Sequence, residues 1–277
     1  ERKADRINEF LHTEPAIKSP AKAQQPALQG NIVFEGVDFI YPNTGIQALT
    51  QFNLHIKKGQ KVAIVGHTGS GKTTIAQLLL RMYDPTRGKI TIDGVDLRDM
   101  DLQELRRQIS YVPQDVFLFS DTITNNILFS PGGGSEEWVK QAARYASVDK
   151  EIEGFHEQYD TMVGERGVTL SGGQKQRISI ARALAKNPQM VGFDDCLGAV
   201  DARTEKEILH NLGLFLEQKT AIIITHRIFT LFDFDIIVVL EDGKIIETGT
   251  HNELLSRKGY YSYLYEQQQQ REREEDK

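Results

Sequence analysis

The sequence predicts an α/β fold: a parallel-sheet core, an antiparallel β subdomain beside it and a helical subdomain inserted into it. Three observations carry that expectation. A glycine-rich loop, Gly66-His67-Thr68-Gly69-Ser70-Gly71-Lys72-Thr73-Thr74, stands between an apolar strand and a helical stretch. Further apolar runs, Met190 to Phe193, Ala221 to Ile224 and Ile236 to Leu240, alternate with helical segments, as parallel strands joined by crossovers do. Turn-bounded β patterns occupy Asn31 to Lys58 and Lys89 to Val95, where an antiparallel sheet is expected.

The bulk properties narrow the choice. A chain of 277 residues accommodates one large α/β domain or two ordinary ones. A hydrophobic share of 39% and a charged share of 26% are those of a soluble globular protein. A net charge of −6 argues against a nucleic-acid partner, which would favour a basic face. The single cysteine, Cys196, excludes an intrachain disulfide, fits a reducing compartment and reads as a small packed residue. No apolar run approaches the roughly 18–20 residues of a membrane helix. The start at Glu1 rather than Met reads as a piece of a longer protein.

In chain order, residues 1–29 read as an amphiphilic start, with Ile7, Phe10 and Leu11 on one helical face, followed by a linker punctuated by Pro15, Pro20 and Pro26. No core is expected there. Strands are expected at Ile32 to Phe34, Val37 to Tyr41 and Leu49 to Ile56, bounded by Pro42-Asn43-Thr44-Gly45 and Lys58-Gly59. Lys89 to Val95 forms a hairpin on an Asp93-Gly94 turn, and Glu241-Asp242-Gly243-Lys244 marks another. Asp101 to Gln108 is helical, and Ile109 to Val112 is a strand ending at Pro113-Gln114. The stretch from about 121 to 186 is mostly helical. Within it the glycine run 132–134 is a loop, Ser135 an N-cap ahead of Glu136 and Glu137, and Trp138 a core or interface residue. The principal domain is expected to span 30–265, with its helical part at about 115–185. From Gln267 to Lys277 a polar, charged tail should be disordered. No internal repeat is present.

The loop at Gly66 fits the pattern G-x-x-x-x-G-K-[ST]. Glycines let the backbone wrap a phosphate chain so that N–H groups point inward, and the following helix adds its positive end. Lys72 would reach the β- and γ-phosphates, and the Thr73 hydroxyl would ligate Mg²⁺. A glycine-rich turn could match by accident, but the flanking strand Val62 to Val65 and helix from Ile75 supply the context that the chemistry needs.

Two further features stand beside it. Leu170-Ser171-Gly172-Gly173-Gln174 opens a helix with serine and two glycines, so N–H groups are again free to face an anion. An ordinary capped helix would look the same. The strand Met190 to Phe193 ends in Asp194-Asp195, a carboxylate placed where Mg²⁺ needs an oxygen ligand. Two Asp after a strand are also common in solvated turns.

In this order, over roughly residues 30 to 265, these motifs resemble the nucleotide-binding domain of ABC transporters, closest to the exporter-type half-transporters. The resemblance implies a RecA-like P-loop NTPase fold. Leu170 to Gln174 matches the family signature, Gln114 the Q-loop that contributes to Mg²⁺ binding and coupling, and His226 the switch histidine. Tyr41 matches the aromatic that stacks on adenine, where a plain strand end is the other reading. Gly164-Glu165-Arg166-Gly167 resembles the exporters' X-loop, and Gly198-Ala199-Val200-Asp201 the D-loop, although the family usually has Ser where Gly198 stands. The ATP-binding set is thus Tyr41 with Gly66 to Thr74, and the Mg²⁺ set is Thr73, Gln114 and Asp194. The family closes two domains head to tail over two ATPs, so Ser171, Gly172, Gly173, Gln174 and Asp201 would serve the partner's nucleotide. Glu1 to Leu11 would be the cytosolic end of a membrane helix, placing the domain at the cytoplasmic face of a membrane, by default a bacterial inner membrane. No nucleic-acid partner is implied.

One departure stands out. The family normally has Glu after the Mg²⁺ carboxylate to polarise the attacking water, and here that position is Asp195. Shortening by one methylene moves the carboxylate away from the γ-phosphate, and loss of such a group typically costs about 10²–10⁴ in rate. Asp195, His226 and Gln114 remain the catalytic set. Asp here resembles the degenerate half of a heterodimeric exporter, with a homodimer in which Asp195 still works as the alternative. A soluble ABC-type ATPase acting on DNA or the ribosome would carry a long coiled coil or two cassettes, and neither is present. A regulatory nucleotide-binding module with little catalysis stays open for the local site.

Overall fold

The computed structural model of the chain describes residues 15–129, 135–164, 167–228 and 234–275. Two sheets share the work. The first is antiparallel and four-stranded, in the order β2 (Gln47–Ile56), β1 (Ile32–Ile40), β4 (Arg87–Ile92), β5 (Val95–Asp96). The second has six strands, in the order β10 (Lys244–Gly249), β9 (Ile236–Glu241), β3 (Lys61–Val65), β8 (Thr220–Ile224), β7 (Met190–Asp194), β6 (Ile109–Val112). All its pairings are parallel except β9 with β10, the hairpin closed by Asp242-Gly243. At that turn both residues have positive φ, 45° and 74°, as they do at Asp93-Gly94 between β4 and β5, 52° and 83°. Those are the dihedrals a two-residue hairpin of matching twist demands.

The central strands are apolar throughout because both faces are covered. In β3, Val62 and Ile64 enter one core with Ile75 and Leu78 of α1 (Lys72–Leu79) and with Phe34, Phe52 and Ile92 of the antiparallel sheet. Ala63 and Val65 point the other way, into a cluster with Ile237, Val239, Leu254 and Tyr261. A period of two thus divides one strand between two cores.

Helices α2 (Leu102–Gln108), α3 (Ile123–Ile127), α4 (Glu136–Tyr145), α5 (Asp149–Glu153) and α6 (Gly172–Ala185) account for the helical subdomain and its approach, and α7 (Ala202–Phe215) crosses from β7 to β8. Ile123, Val139, Ala142, Ile178 and Leu184 pack with Val191 and Phe193 of β7, which ties that subdomain to the sheet. Ser135 caps α4 by accepting from the Trp138 N–H, and the Trp138 indole donates to the Ala185 carbonyl at 3.0 Å. Cys196 is buried in the same cluster.

Two expectations are corrected. Leu28 is buried in the main core, and Gln24 bridges to Met100, so the linker does contribute to packing before Asn31. Over Gln267 to Glu275 the expected disordered tail is instead helical: after α8 (His251–Arg257), helix α9 runs Tyr260–Glu275, and residues 276 and 277 lie outside the described residues. Its Gln, Arg and Glu residues are good helix formers, and Tyr261, Leu264 and Tyr265 anchor its first turns against the third core. Glu1 to Leu11, the glycine run 132–134, and Glu165 and Arg166 lie outside the described residues.

Candidate functional site

The carboxyl ends of β3, β8 and β7 open onto one cleft of about 340 Å³. Parallel sheets bind ligands at this end. Tyr41, Ile46 and Ala48 line one side of it, Thr68, Gly69, Gly71, Lys72, Thr73 and Thr74 form its floor, and Gln114, Asp194, Asp195, Ile224 and His226 close the other side. Beneath the floor, Gly66 and Ser70 are buried, whereas His67 is exposed, its Nε2 3.7 Å from Asp242.

The loop is shaped by steric need. A Cβ at Gly66 would run into the Leu240 carbonyl, and one at Gly71 into that of Ala48; Gly71 also has φ of +101°. Gly71 caps α1 without any side-chain hydrogen bond, so the helix keeps its first N–H groups unclaimed by a side-chain cap. Lys72 Nζ lies along the loop, donating to the carbonyls of Gly66 and His67 at 2.8 Å each. Burial lowers its pKa, while the nearby Asp195 and Asp194 oppose that.

Across the cleft Asp194 is buried, and burial raises its pKa against the hydroxyls of Thr73 and Tyr111 that bond to it. Tyr111 Oη donates to Asp194 Oδ2 at 2.9 Å. Asp195 adopts φ of +44°, a left-handed conformation that Asp tolerates better than most side chains. Its Oδ1 is 2.9 Å from His226 Nδ1, and its Oδ2 accepts from Gln114 Nε2 at 3.4 Å. The Asp195 contact raises the pKa of His226.

A second surface lies outside this cleft. Ser171 caps α6 in a reciprocal pair with Gln174, whose amide also donates to Glu151 at 2.9 Å. Glu151 is bound by Arg177 at 2.6 Å. A Cβ at Gly173 would sit 3.1 Å from the Ala199 carbonyl oxygen, and the Ala199 N–H donates to Gln176 Oε1 at 3.0 Å. Asp201 caps α7 by accepting from Arg203 and Thr204.

Residues 49–198 match the family model described as ABC transporter. The chain belongs to the ABC transporter family.

Among its relatives is the probable multidrug resistance ABC transporter ATP-binding/permease protein YheI of Bacillus subtilis, 46% identical over 98% of this chain and 46% of that protein. The mitochondrial iron-sulfur clusters transporter ATM1 of Gibberella zeae is 42% identical over 91% of this chain and 36% of that protein. The structure of a bacterial Atm1-family ABC exporter with ATP bound superposes with a TM-score of 0.89 at 39% identity, over 96% of this chain and 46% of that one. The chain spans less than half the length of these relatives.

In this ABC transporter domain, the predicted residues fall into two groups. Tyr41, Thr68, Gly69, Gly71 to Thr74, Gln114, Asp194, Asp195 and His226 share the cleft. Ser171, Gly172, Gly173, Gln174 and Asp201 are not among its lining residues; Ser171 to Gln174 open α6 and Asp201 opens α7. Tyr41 is tied down: its hydroxyl is 2.8 Å from both Thr74 Oγ1 and Gln77 Oε1, and its ring meets Phe39 and Tyr83 edge-on. Ile46, 61% exposed beside it, is an apolar lining residue that sequence reasoning missed. Tyr111 was missed too, although the sequence held a signal. Gly192 opposes it in the β6–β7 ladder, and a Cβ there would sit 3.2 Å from the Tyr111 ring. A glycine inside a strand marks such a close approach.

Proposed function

We propose that this domain is the ATP-binding and ATP-hydrolysing motor of an ABC exporter, closing head to tail with a second nucleotide-binding domain around two ATP-Mg²⁺. The observation that carries the reading is the convergence of Lys72, Thr73, Gln114, Asp194, Asp195 and His226 on one cleft. The Mg²⁺ set fits its ion. Asp194 is a buried carboxylate whose charged form burial disfavours, and Thr73 and Gln114 offer hard neutral oxygens nearby. Bound there, Mg²⁺ would be held by Thr73, Gln114 and Asp194 and would supply neutralisation of phosphate charge.

The chain's own groups do the remainder. Lys72 leaves two backbone carbonyls to meet phosphate charge, and the uncapped start of α1 directs N–H groups at it. Tyr41 and Ile46 offer an aromatic and an apolar wall for the adenine. Asp195 is the base that orients the attacking water, and His226 holds that carboxylate. Asp195 is short for this task, so hydrolysis at the domain's own site is slow. We infer a heterodimer in which the intact Ser171–Gln174 surface serves the partner's faster site. The direct pairing of Asp195 with both His226 and Gln114 favours one alternative, a homodimer in which the short carboxylate is held well enough to act.

A transmembrane domain in the same full-length protein would receive the motion. The exposed aromatic ladder Phe117, Phe119 and Phe129 supports this, with Phe119 and Phe129 stacked at 4.2 Å beside a groove bounded by Gly164 and Val168. Among the described residues no helix is long and apolar enough to cross a membrane. Attached to such a transmembrane domain, this motor would lie at the membrane's cytoplasmic face. ATPase activity measured across a protein concentration series tests the motor reading. A rate per chain that rises with concentration supports it, and a rate independent of concentration overturns the shared-site arrangement.

A further inference from the structure

Three consecutive residues after β8 are each held by a different part of the fold. The His226 imidazole meets Asp195. The Arg227 guanidinium reaches Glu205 at 2.6 Å and the carbonyls of Gly198 and Val200. The Ile228 side chain is buried with Tyr261 and Leu254. Their backbone, beyond the last residue of β8, is held by a side chain forty positions on. Gln268 Nε2 donates to the His226 carbonyl, and Gln268 Oε1 accepts from the Ile228 N–H at 2.8 Å. One planar carboxamide thus takes the C=O of one residue and the N–H of the residue two further on. A residue of a neighbouring parallel strand would make the same pair of bonds.

The placement of Gln268 follows from the helix that carries it. Residues 261, 264, 265 and 268 fall on one face of α9 by the three- and four-residue spacing. Tyr261 is fully buried, and Leu264 and Tyr265 pack against the same cluster. The Glu247 carboxylate of β10 fixes the start of the helix by accepting from the N–H groups of Tyr260 and Tyr261, at 3.0 and 2.8 Å. Gln268 is the polar end of this apolar face, two turns beyond Tyr261.

We propose that Gln268 is a positioning residue for His226: its carboxamide fixes the peptide planes on both sides of Arg227, so that the imidazole stays against Asp195. The proposal rests on the reading of His226 as a working group of the cleft, but the contact is testable without any turnover. Without the carboxamide these two backbone groups bond to water, and His226, whose side chain is 59% exposed, has one fewer constraint. Among the described residues, Asp195, Lys72, Arg227 and Glu205 are charged groups that act on the imidazole, and none of them is altered by a change at position 268.

The test uses the whole chain, with Gln268→Leu, Gln268→Glu and Gln270→Leu as a polarity control. Two spectroscopic readouts serve: amide hydrogen exchange at Ile228, and the ring ¹⁵N signal that reports the His226 Nδ1–Asp195 hydrogen bond. Gln268→Leu should speed Ile228 exchange about tenfold or more and shift the Nδ1 signal toward that of a solvated imidazole, with Val239 and Tyr261 amides unchanged. Gln268→Glu keeps an acceptor for Ile228 and should preserve its protection while still losing the Nδ1 signature; Gln270→Leu should change neither. Unchanged Ile228 exchange in Gln268→Leu overturns the proposal, as does an intact Nδ1 signature. Tyr261 exchanging as fast as Ile228 would also overturn it, since undocking of the helix would then be the cause. Failure of the motor reading would appear separately, as absent hydrolysis with both signals as expected.

Discussion

His226 Nδ1 stands 2.9 Å from Asp195 Oδ1, so the imidazole after β8 and the carboxylate after β7 form one unit across the mouth of the cleft. With its proton on Nδ1, His226 donates to the carboxylate and leaves Nε2 as the acceptor of the neutral ring. The pairing makes position 195 the natural place to separate nucleotide binding from turnover.

Asp195→Glu adds one methylene while leaving Lys72, Thr73 and Asp194 untouched. Steady-state ATPase should rise by about 10²-fold or more, the span a correctly placed general base commands, with ATP affinity nearly constant. A natural chain already as fast as the variant would show that the short carboxylate is an adequate base.

The same pair gives folding stability a pH dependence of definite sign. Asp195 raises the pKa of His226 above its usual 6.5, so the pair's contribution is fully present below about pH 6.5 and fades as pH rises through the higher folded-state value. Both partners are partly solvated, which keeps the effect to a fraction of about 1 kcal/mol. Urea titrations between pH 6 and 8.5 should show this slope, and Asp195→Asn should flatten it.

Tyr41 is anchored through its hydroxyl but presents its ring beside Ile46. Tyr41→Ala should weaken ATP binding about tenfold and leave pyrophosphate binding unchanged, because only the base loses its platform. Tyr41→Phe keeps the ring and should stay within about threefold of the natural chain. Calorimetry with both ligands decides; an equal loss for pyrophosphate would place Tyr41 in loop packing instead.

Glu205 is 1% exposed, and Arg227 approaches it at 2.6 Å. Removing the cation in Arg227→Met leaves a buried carboxylate uncompensated and should cost about 3–5 kcal/mol near neutral pH. Burial already raises the pKa of Glu205, so protonation relieves the variant in acid and the loss should shrink toward pH 5. Thermal melts at the two pH values, with Arg227→Met/Glu205→Leu as the recovering double variant, provide the check.

Local chemistry made most of the architecture readable. Gly66 to Thr74 announced a strand, a phosphate loop and a helix, and the Asp-Gly pairs announced both hairpins. What was not readable depended on partners distant in sequence. A run such as Gln267 to Gln270 has no apolar period of its own, and only the packing of Tyr261, Leu264 and Tyr265 shows that a helix carries it onward. Leu28 sits in a proline-punctuated polar stretch, and its burial depends on a core assembled from residues 32 to 240. At the site, the glycine and lysine positions were legible because one loop contains them. Ile46 was not, since it joins the cleft from the antiparallel side, and Tyr111 was marked only through the glycine opposite it at 192.

Between Asp195 and Asp201 lie only five residues, and the fold grips them from both ends. Gly198 N–H bonds back to the Asp195 carbonyl, while Ala199 is held by Gln176 of the helix that Ser171 opens. A change of side chain at 195 therefore bears on a short lever whose far end is 201. Gly198, which lacks a side chain midway along that lever, is where a substitution should couple the two ends most strongly.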